Sequence, residues 1–107
     1  MTSQRQTKSS KPLKVVIKKS DKEGKKLMAI FTLENGRTKT IHFGAEGMSD
    51  YTKNRDKDRK QRYLKRHRRN ENWNNPMTAG ALSRWILWNK ETRGASISDY
   101  KRRFNLK

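Results

Sequence analysis

The dipeptide Asn35-Gly36, set between two runs of alternating character, constrains this chain more than any other feature. Asn-Gly readily fills the two positive-φ positions of a type I′ turn, whose twist suits paired antiparallel strands. Upstream, Leu27, Ala29, Phe31 and Leu33 share one face of an extended segment, and downstream Thr38 to Phe43 returns as its partner. An earlier run puts Leu13, Val15 and Ile17 on one face against Lys14 and Lys18, with Val16 blurring the alternation. Ser20 to Gly24, between these runs, is turn chemistry. The reading is a three-stranded antiparallel meander over 13–43. Such a sheet has an apolar face to bury, so the rest of the chain must cover it.

After Phe43 the period changes. Gly44 and Gly47 are expected to end the sheet, and Ser49 or Asp50 to cap a short helical turn. Residues 53–69 are rich in helix formers and free of Gly and Pro, which predicts a helix over about 55–69. A second helix is expected to start at Pro76, with Asn75 as N-cap, and to run to about Asn89. A third is expected after Gly94, where Ser96 and Asp99 have the spacing of a capping box and Ile97, Tyr100 and Phe104 supply an apolar stripe. Leu82, Trp85, Ile86 and Asn89 recur at helical spacing, so Trp85 and Trp88 read as core rather than as platforms for bases. Trp85-Ile86-Leu87-Trp88 is apolar on more than one side and calls for cover from both the sheet and another helix, or else from a partner.

The fold class that follows is α+β: a three-stranded antiparallel meander followed by about three helices, the helical part spanning 49–107. A chain of 107 residues with 30% apolar residues can bury one modest core, so 13–107 reads as a single small domain. Residues 1–12 are polar and without period, and read as a disordered basic arm.

Charge decides the class of partner. The chain carries 28 Lys and Arg against 10 Asp and Glu, for a net charge of +18. Within 53–69 roughly ten Lys and Arg face two Asp, so most of these cations have no acid one helical turn away to pair with. An excess of this kind suits a polyanion. Arg dominates the second half of the run, and its planar fork matches phosphate oxygens bidentately. The candidate nucleic-acid-binding residues are Lys53, Arg55, Arg59, Arg62, Lys65, Arg66, Arg68 and Arg69, with Lys101, Arg102 and Arg103 as a second cluster. Tyr63, Leu64 and the ring of His67 are expected to tie the helix to the domain, leaving Arg59, Arg62, Arg66 and Arg69 facing outward. No Asn and Arg set marks a base-reading helix, so binding is expected through phosphates, with little sequence preference and with double-stranded DNA as the ligand.

Catalysis finds little support. The two histidines, His42 and His67, have no Cys beside them, and the carboxylates show no standard zinc spacing. Asp56 and Asp58 point about 200° apart on a helix and cannot share a metal. Gly44-Ala45-Glu46-Gly47 lacks the length and the Gly-Lys-Ser/Thr ending of a phosphate loop. A nuclease built from His42, Glu46 and Asp50 is the remote alternative; the expectation is no enzymatic activity, metal or cofactor. No apolar run approaches the ~18 residues of a membrane span, and neither Cys nor a secretory segment is present, so an intracellular setting is expected.

Several blocks carry a resemblance: His42-Phe43-Gly44, Ser49-Asp50-Tyr51-Thr52, Arg59-Lys60-Gln61-Arg62-Tyr63, Arg66-His67, Asn70-Glu71-Asn72-Trp73, Thr78-Ala79-Gly80 and Ser83-Arg84-Trp85-Ile86-Leu87-Trp88-Asn89-Lys90. In order and spacing they resemble a family of short basic proteins from large double-stranded DNA viruses, the nucleocytoplasmic group, across 41–104. That resemblance implies a viral setting, in the virion, the host nucleus or the viral factory, and leaves the chemistry undecided. Two roles fit it: a DNA-binding, genome-packaging protein, or a minor capsid or scaffold protein whose basic surface meets acidic virion proteins.

Overall fold

A computed structural model of the chain describes residues 11–107, so most of the expected arm lies outside the described residues. Strands β1 (Pro12–Lys19), β2 (Lys25–Leu33) and β3 (Thr38–Ala45) form one antiparallel sheet in the order β1-β2-β3. The register sets Val15 opposite Phe31, Leu27 opposite Phe43, and Ala29 between Ile17 and Ile41, so the alternating apolar residues meet on one face. Val15, Leu27, Ala29, Phe31 and Phe43 are buried there.

Four short helical elements cover that face. They are α1 (Tyr51–Asn54), α2 (Lys57–His67), α3 (Ala79–Leu82), which continues into a π turn at Ser83–Leu87, and α4 (Arg93–Arg103). In the π turn the Trp88 N–H reaches the carbonyl of Ser83, 3.0 Å away, five residues back instead of four. Ile86, Leu87 and Trp88 are all buried, packed between the sheet and α4 as their two-sided apolar character requires. Tyr100 of α4 is fully buried, and its hydroxyl donates to the Pro76 carbonyl at 2.6 Å, tying α4 to the loop before α3. The C-terminus then returns to the sheet: Lys107 N–H donates to Leu13 and Val15 N–H donates to Lys107, at 3.1 and 3.0 Å. This pairing covers part of the otherwise open edge of β1.

The α+β class stands, with local departures. Pro12 belongs to β1 and not to the arm. The register slips between Pro12 and Lys14, which leaves Leu13 46% exposed instead of buried with Val15. The Asn35-Gly36 turn is not type I′, because Gly36 takes φ +88° and Asn35 does not enter the positive-φ region. Gly36 N–H closes on Leu33 and Leu33 N–H on Arg37, giving a three-residue loop with the glycine in its left-handed position. The Asn35 side chain instead accepts from Arg37 N–H at 2.9 Å.

Three helix starts also move. The helix expected over 55–69 is shorter: Arg55 ends α1 at φ +50° and Asp56 caps α2 by accepting from Arg59 N–H. Asn75 does not cap a helix at Pro76. Its side chain closes a local turn on Met77 N–H, and Thr78 caps α3 three residues later. Ser96 and Asp99 form no capping box. Thr92 caps α4, Gly94 lies inside it, and Ser96 is buried with its hydroxyl accepting from Lys90 N–H.

Candidate nucleic-acid interface

The basic helix α2 is held by an aromatic stack. Tyr63 is buried and lies nearly parallel to Trp88, ring centres 4.6 Å apart, while His67 stacks on its other side at 4.3 Å. Stacks of this kind contribute about 0.5–1.5 kcal/mol beyond the area they bury. His67 Nδ1 lies 3.0 Å from a Glu71 oxygen, and the other Glu71 oxygen accepts from the Trp73 indole at 2.9 Å. Burial pushes the Tyr63 hydroxyl well above its ordinary range, with Glu71 adding to the effect, so the ring serves as a neutral anchor.

One cation of the helix points inward. Lys60 Nζ donates to the Asn89 carbonyl at 2.7 Å and sits 4.8 Å above the Tyr51 ring. Burial, then Arg84, Lys90 and Lys57, hold its pKa below the usual lysine value. Lys53, Arg55, Arg59, Arg62, Lys65, Arg66, Arg68 and Arg69 are by contrast all exposed. None of these eight forms an ion pair with a carboxylate among the described residues.

Two clefts gather cations from elements far apart in sequence. The first, of about 560 Å³, lies between the end of β3 and α2. Arg59, Arg62 and Arg66 line it from the helix and Lys25 and Lys26 from β2, over a floor that includes Tyr63, Leu87 and Trp88. The second, of about 580 Å³, is lined by Lys18, Lys19, Lys26, Lys53 and Arg93, beside Ile17 and Ile97. Lys26 belongs to both, and its Nζ donates to buried Asp50 at 2.5 Å and to the Met48 carbonyl at 2.7 Å. Burial alone would push the Asp50 carboxyl up; the bonds from Lys26 and Thr52 outweigh it and hold the carboxyl below the ordinary carboxylate range.

The structure therefore brings Arg59, Arg62 and Arg66 together in one cleft and places Lys53 in the other. Arg55, Lys65, Arg68 and Arg69 lie outside both clefts. Arg102 and Arg103 pair with buried Asp99 at 3.2 and 3.4 Å from exposed positions, and Lys101 beside them is half-buried. Arg103 also stacks on Trp85 at 3.7 Å, with the Arg84 guanidinium 4.1 Å from the same ring. Trp85 is thus half-buried between cations and not fully in the core, its indole donating to the Trp73 carbonyl at 2.9 Å. Arg84 donates to the Trp88 carbonyl at 3.0 Å, and burial, then Arg103, lowers its pKa.

Sequence reasoning missed Lys18, Lys19, Lys25, Lys26 and Arg93. The signal was present, because lysine pairs stand at the end of β1 and the start of β2; the path of the chain after Gly47 brings Lys25 and Lys26 to α2, and Lys18 and Lys19 to Lys53 of α1. The residues of the nuclease alternative are placed otherwise. His42 bonds Ser20 Oγ at 2.7 Å on the sheet face opposite the core, Asp50 is taken by Lys26 and Thr52, and Glu46 lines the second cleft. Among the described residues no three His, Asp or Glu side chains gather as a metal-holding group, and no helix is long and apolar enough to cross a membrane.

Fold and site define a small α+β protein whose exposed cations surround two shared clefts. The chain belongs to a family of unknown function, DUF5754, whose model matches residues 15–67, from β1 to the end of the basic helix. That range begins in the first strand, upstream of the blocks from His42 onward that carry the viral resemblance. The chain is also 36% identical over 80 residues to an uncharacterized protein of Acanthamoeba polyphaga mimivirus, a match covering 67% of this chain and 78% of the relative. The likeness supports a viral origin. No solved structure matches the chain.

Proposed function

We propose that the protein binds nucleic acid without catalysis, through DNA phosphates and with little sequence preference, as a genome-binding or packaging protein of a large DNA virus. One observation carries the reading: Asp50 and Asp99 are engaged by cations of the fold, while the lysines and arginines of α2 and, Lys26 apart, of the two clefts form no ion pair with a carboxylate among the described residues. Asp50 and Asp99, both buried, take Lys26, Arg102 and Arg103. Unpaired exposed Arg and Lys repel one another, and neutralising them on phosphates relieves that repulsion while releasing counterions. The clefts show no array of Asn, Gln and Arg shaped to read base edges, which supports contact with the backbone over contact with sequence.

The test is a salt titration of DNA binding followed by fluorescence anisotropy. Neutralising about six phosphates gives a slope of log K against log salt near −5, from about −0.9 per phosphate on duplex. Duplexes of equal length and scrambled sequence are expected to bind within about threefold of one another. Salt-independent affinity, or a strong preference for one sequence, refutes the proposal.

A further inference from the structure

The two clefts share a wall. Lys26, fixed by buried Asp50, belongs to both, so the clefts are neighbouring recesses of one surface instead of separate pockets. Each lies in the range of volumes that accepts a ligand of nucleotide size, and each is lined by cations with apolar surface beside them. In the first, Lys25, Arg59, Arg62 and Arg66 stand around Met48, an apolar side chain 58% exposed at the cleft. In the second, Lys18, Lys19 and Lys53 stand beside the partly buried side chains of Ile17 and Ile97. A duplex is a stiff convex cylinder whose bases are stacked inside it, and it can touch only the rims of such recesses. An unpaired strand can bend into them, laying its phosphates along a groove of cations as proteins that bind single strands do, and turning its bases toward the apolar side chains.

We infer that the paired clefts on either side of Lys26 form a track for one unpaired nucleic-acid strand, so that single-stranded DNA is held more tightly than blunt duplex. This rests on the phosphate-binding reading and sharpens it, because the cations inside the clefts serve the single strand and those outside serve mainly the duplex.

Three triple variants test it, each removing three exposed charges: Lys25→Gln with Arg62→Gln and Arg66→Gln in the first cleft, Lys18→Gln with Lys19→Gln and Lys53→Gln in the second, and Lys65→Gln with Arg68→Gln and Arg69→Gln outside both. Anisotropy is measured on a labelled oligothymidine and on a blunt duplex with the same number of phosphates per strand, with circular dichroism confirming the fold. Each cleft variant is expected to lose at least tenfold on oligothymidine and less than threefold on duplex, with the single-strand salt slope shallower by about 2. The outside variant is expected to lose less than threefold on oligothymidine. Equal losses from all three variants overturn the track, since charge alone would then explain binding, and so does tighter binding of the duplex by the unmodified protein. Absence of binding to either DNA defeats the phosphate-binding reading itself.

Discussion

Asp50 is 1% exposed and carries three structural duties, so its replacement offers the sharpest test of how this cation-rich chain is held together. Its carboxylate pairs with Lys26, accepts from the Thr52 N–H at 3.0 Å as the cap of α1, and accepts from the Thr52 hydroxyl. Asp50→Asn keeps an oxygen for the cap, since Asn caps about as well as Asp, but leaves Lys26 without its counter-charge. Breaking a buried pair costs about 3–5 kcal/mol. Lys26 retains the Met48 carbonyl and a 14% exposed side chain, which puts the expected loss near the lower end, about 3 kcal/mol. Asp50→Ala also loses the cap, worth about 1 kcal/mol, for a total near 4 kcal/mol. Small proteins have about 5–15 kcal/mol in all, so Asp50→Ala should be close to unfolding.

Urea titration at pH 7, followed by the fluorescence of the three tryptophans, measures these losses. Combining Lys26→Met with Asp50→Asn removes the orphaned charge and should restore at least about 1 kcal/mol relative to Asp50→Asn alone. The pH dependence has a definite sign. A carboxyl whose pKa is depressed on folding stabilises the fold fully above its unfolded value, about 3.9, and that contribution disappears as pH falls through the folded value. The gap between wild type and Asp50→Asn should therefore be constant from pH 5 to about 8 and close below about pH 4. A loss under about 1 kcal/mol for Asp50→Asn at pH 7, or a gap that widens in acid, refutes the argument.

Gly44→Ala places a Cβ 2.9 Å from Leu87 Cδ1 and 3.1 Å from Lys26 Cβ, at φ +80°; a loss of about 1–3 kcal/mol in the same urea assay is expected, and a neutral result would show that the sheet and the π turn approach less closely. Trp88→Ala removes a buried ring stacked on Tyr63 and should cost about 3–5 kcal/mol, whereas Trp85→Ala removes a half-buried ring between two guanidiniums and should cost about 2 kcal/mol; the reverse order would place the core elsewhere. Replacing Arg62, Lys65, Arg66 and Arg69 together with Gln should leave the melting temperature unchanged or slightly raised as self-repulsion eases, while making the duplex salt slope shallower by about 2, from Lys65 and Arg69 outside the clefts; loss of folding in calorimetry would contradict the exposure of these side chains.

The strands were legible because their signal is local. Leu27, Ala29 and Phe31 alternate, and a period of two needs no tertiary information to be read. Helix starts were less legible because several residues compete for one role. Asn75, Thr78, Thr92 and Ser96 are all competent caps, and which of them heads a helix depends on where Pro76 and Lys90 are held by partners distant in sequence. The site was half legible for a related reason. A run of cations in one helix stands out in composition, but a cleft is built from side chains of several elements. Lys25 and Lys18 acquire their neighbours only once β1, β2, α2 and α4 have packed. The same limit explains Arg103, which looked identical in sequence to the free cations and is held by Asp99 and Trp85.

That contrast bears on how so basic a chain folds at all. At net charge +18, self-repulsion opposes compaction, and a core drawn from 30% apolar residues has little surplus to offset it. Four of the ten acids hold the fold together. Asp50 and Asp99 are buried against cations, Glu71 bridges His67 and Trp73, and Asp56 caps the basic helix at its positive end. The Asp50–Lys26 pair joins the sheet to the start of α1, and the other contacts are local, fixing residues within four positions of one another. These acids leave the lysines and arginines of α2 and, Lys26 apart, of the clefts without carboxylate partners among the described residues. Those cations keep the repulsion that a polyanion would relieve, so by linkage a bound anion should raise the stability of the protein as well as occupy its surface.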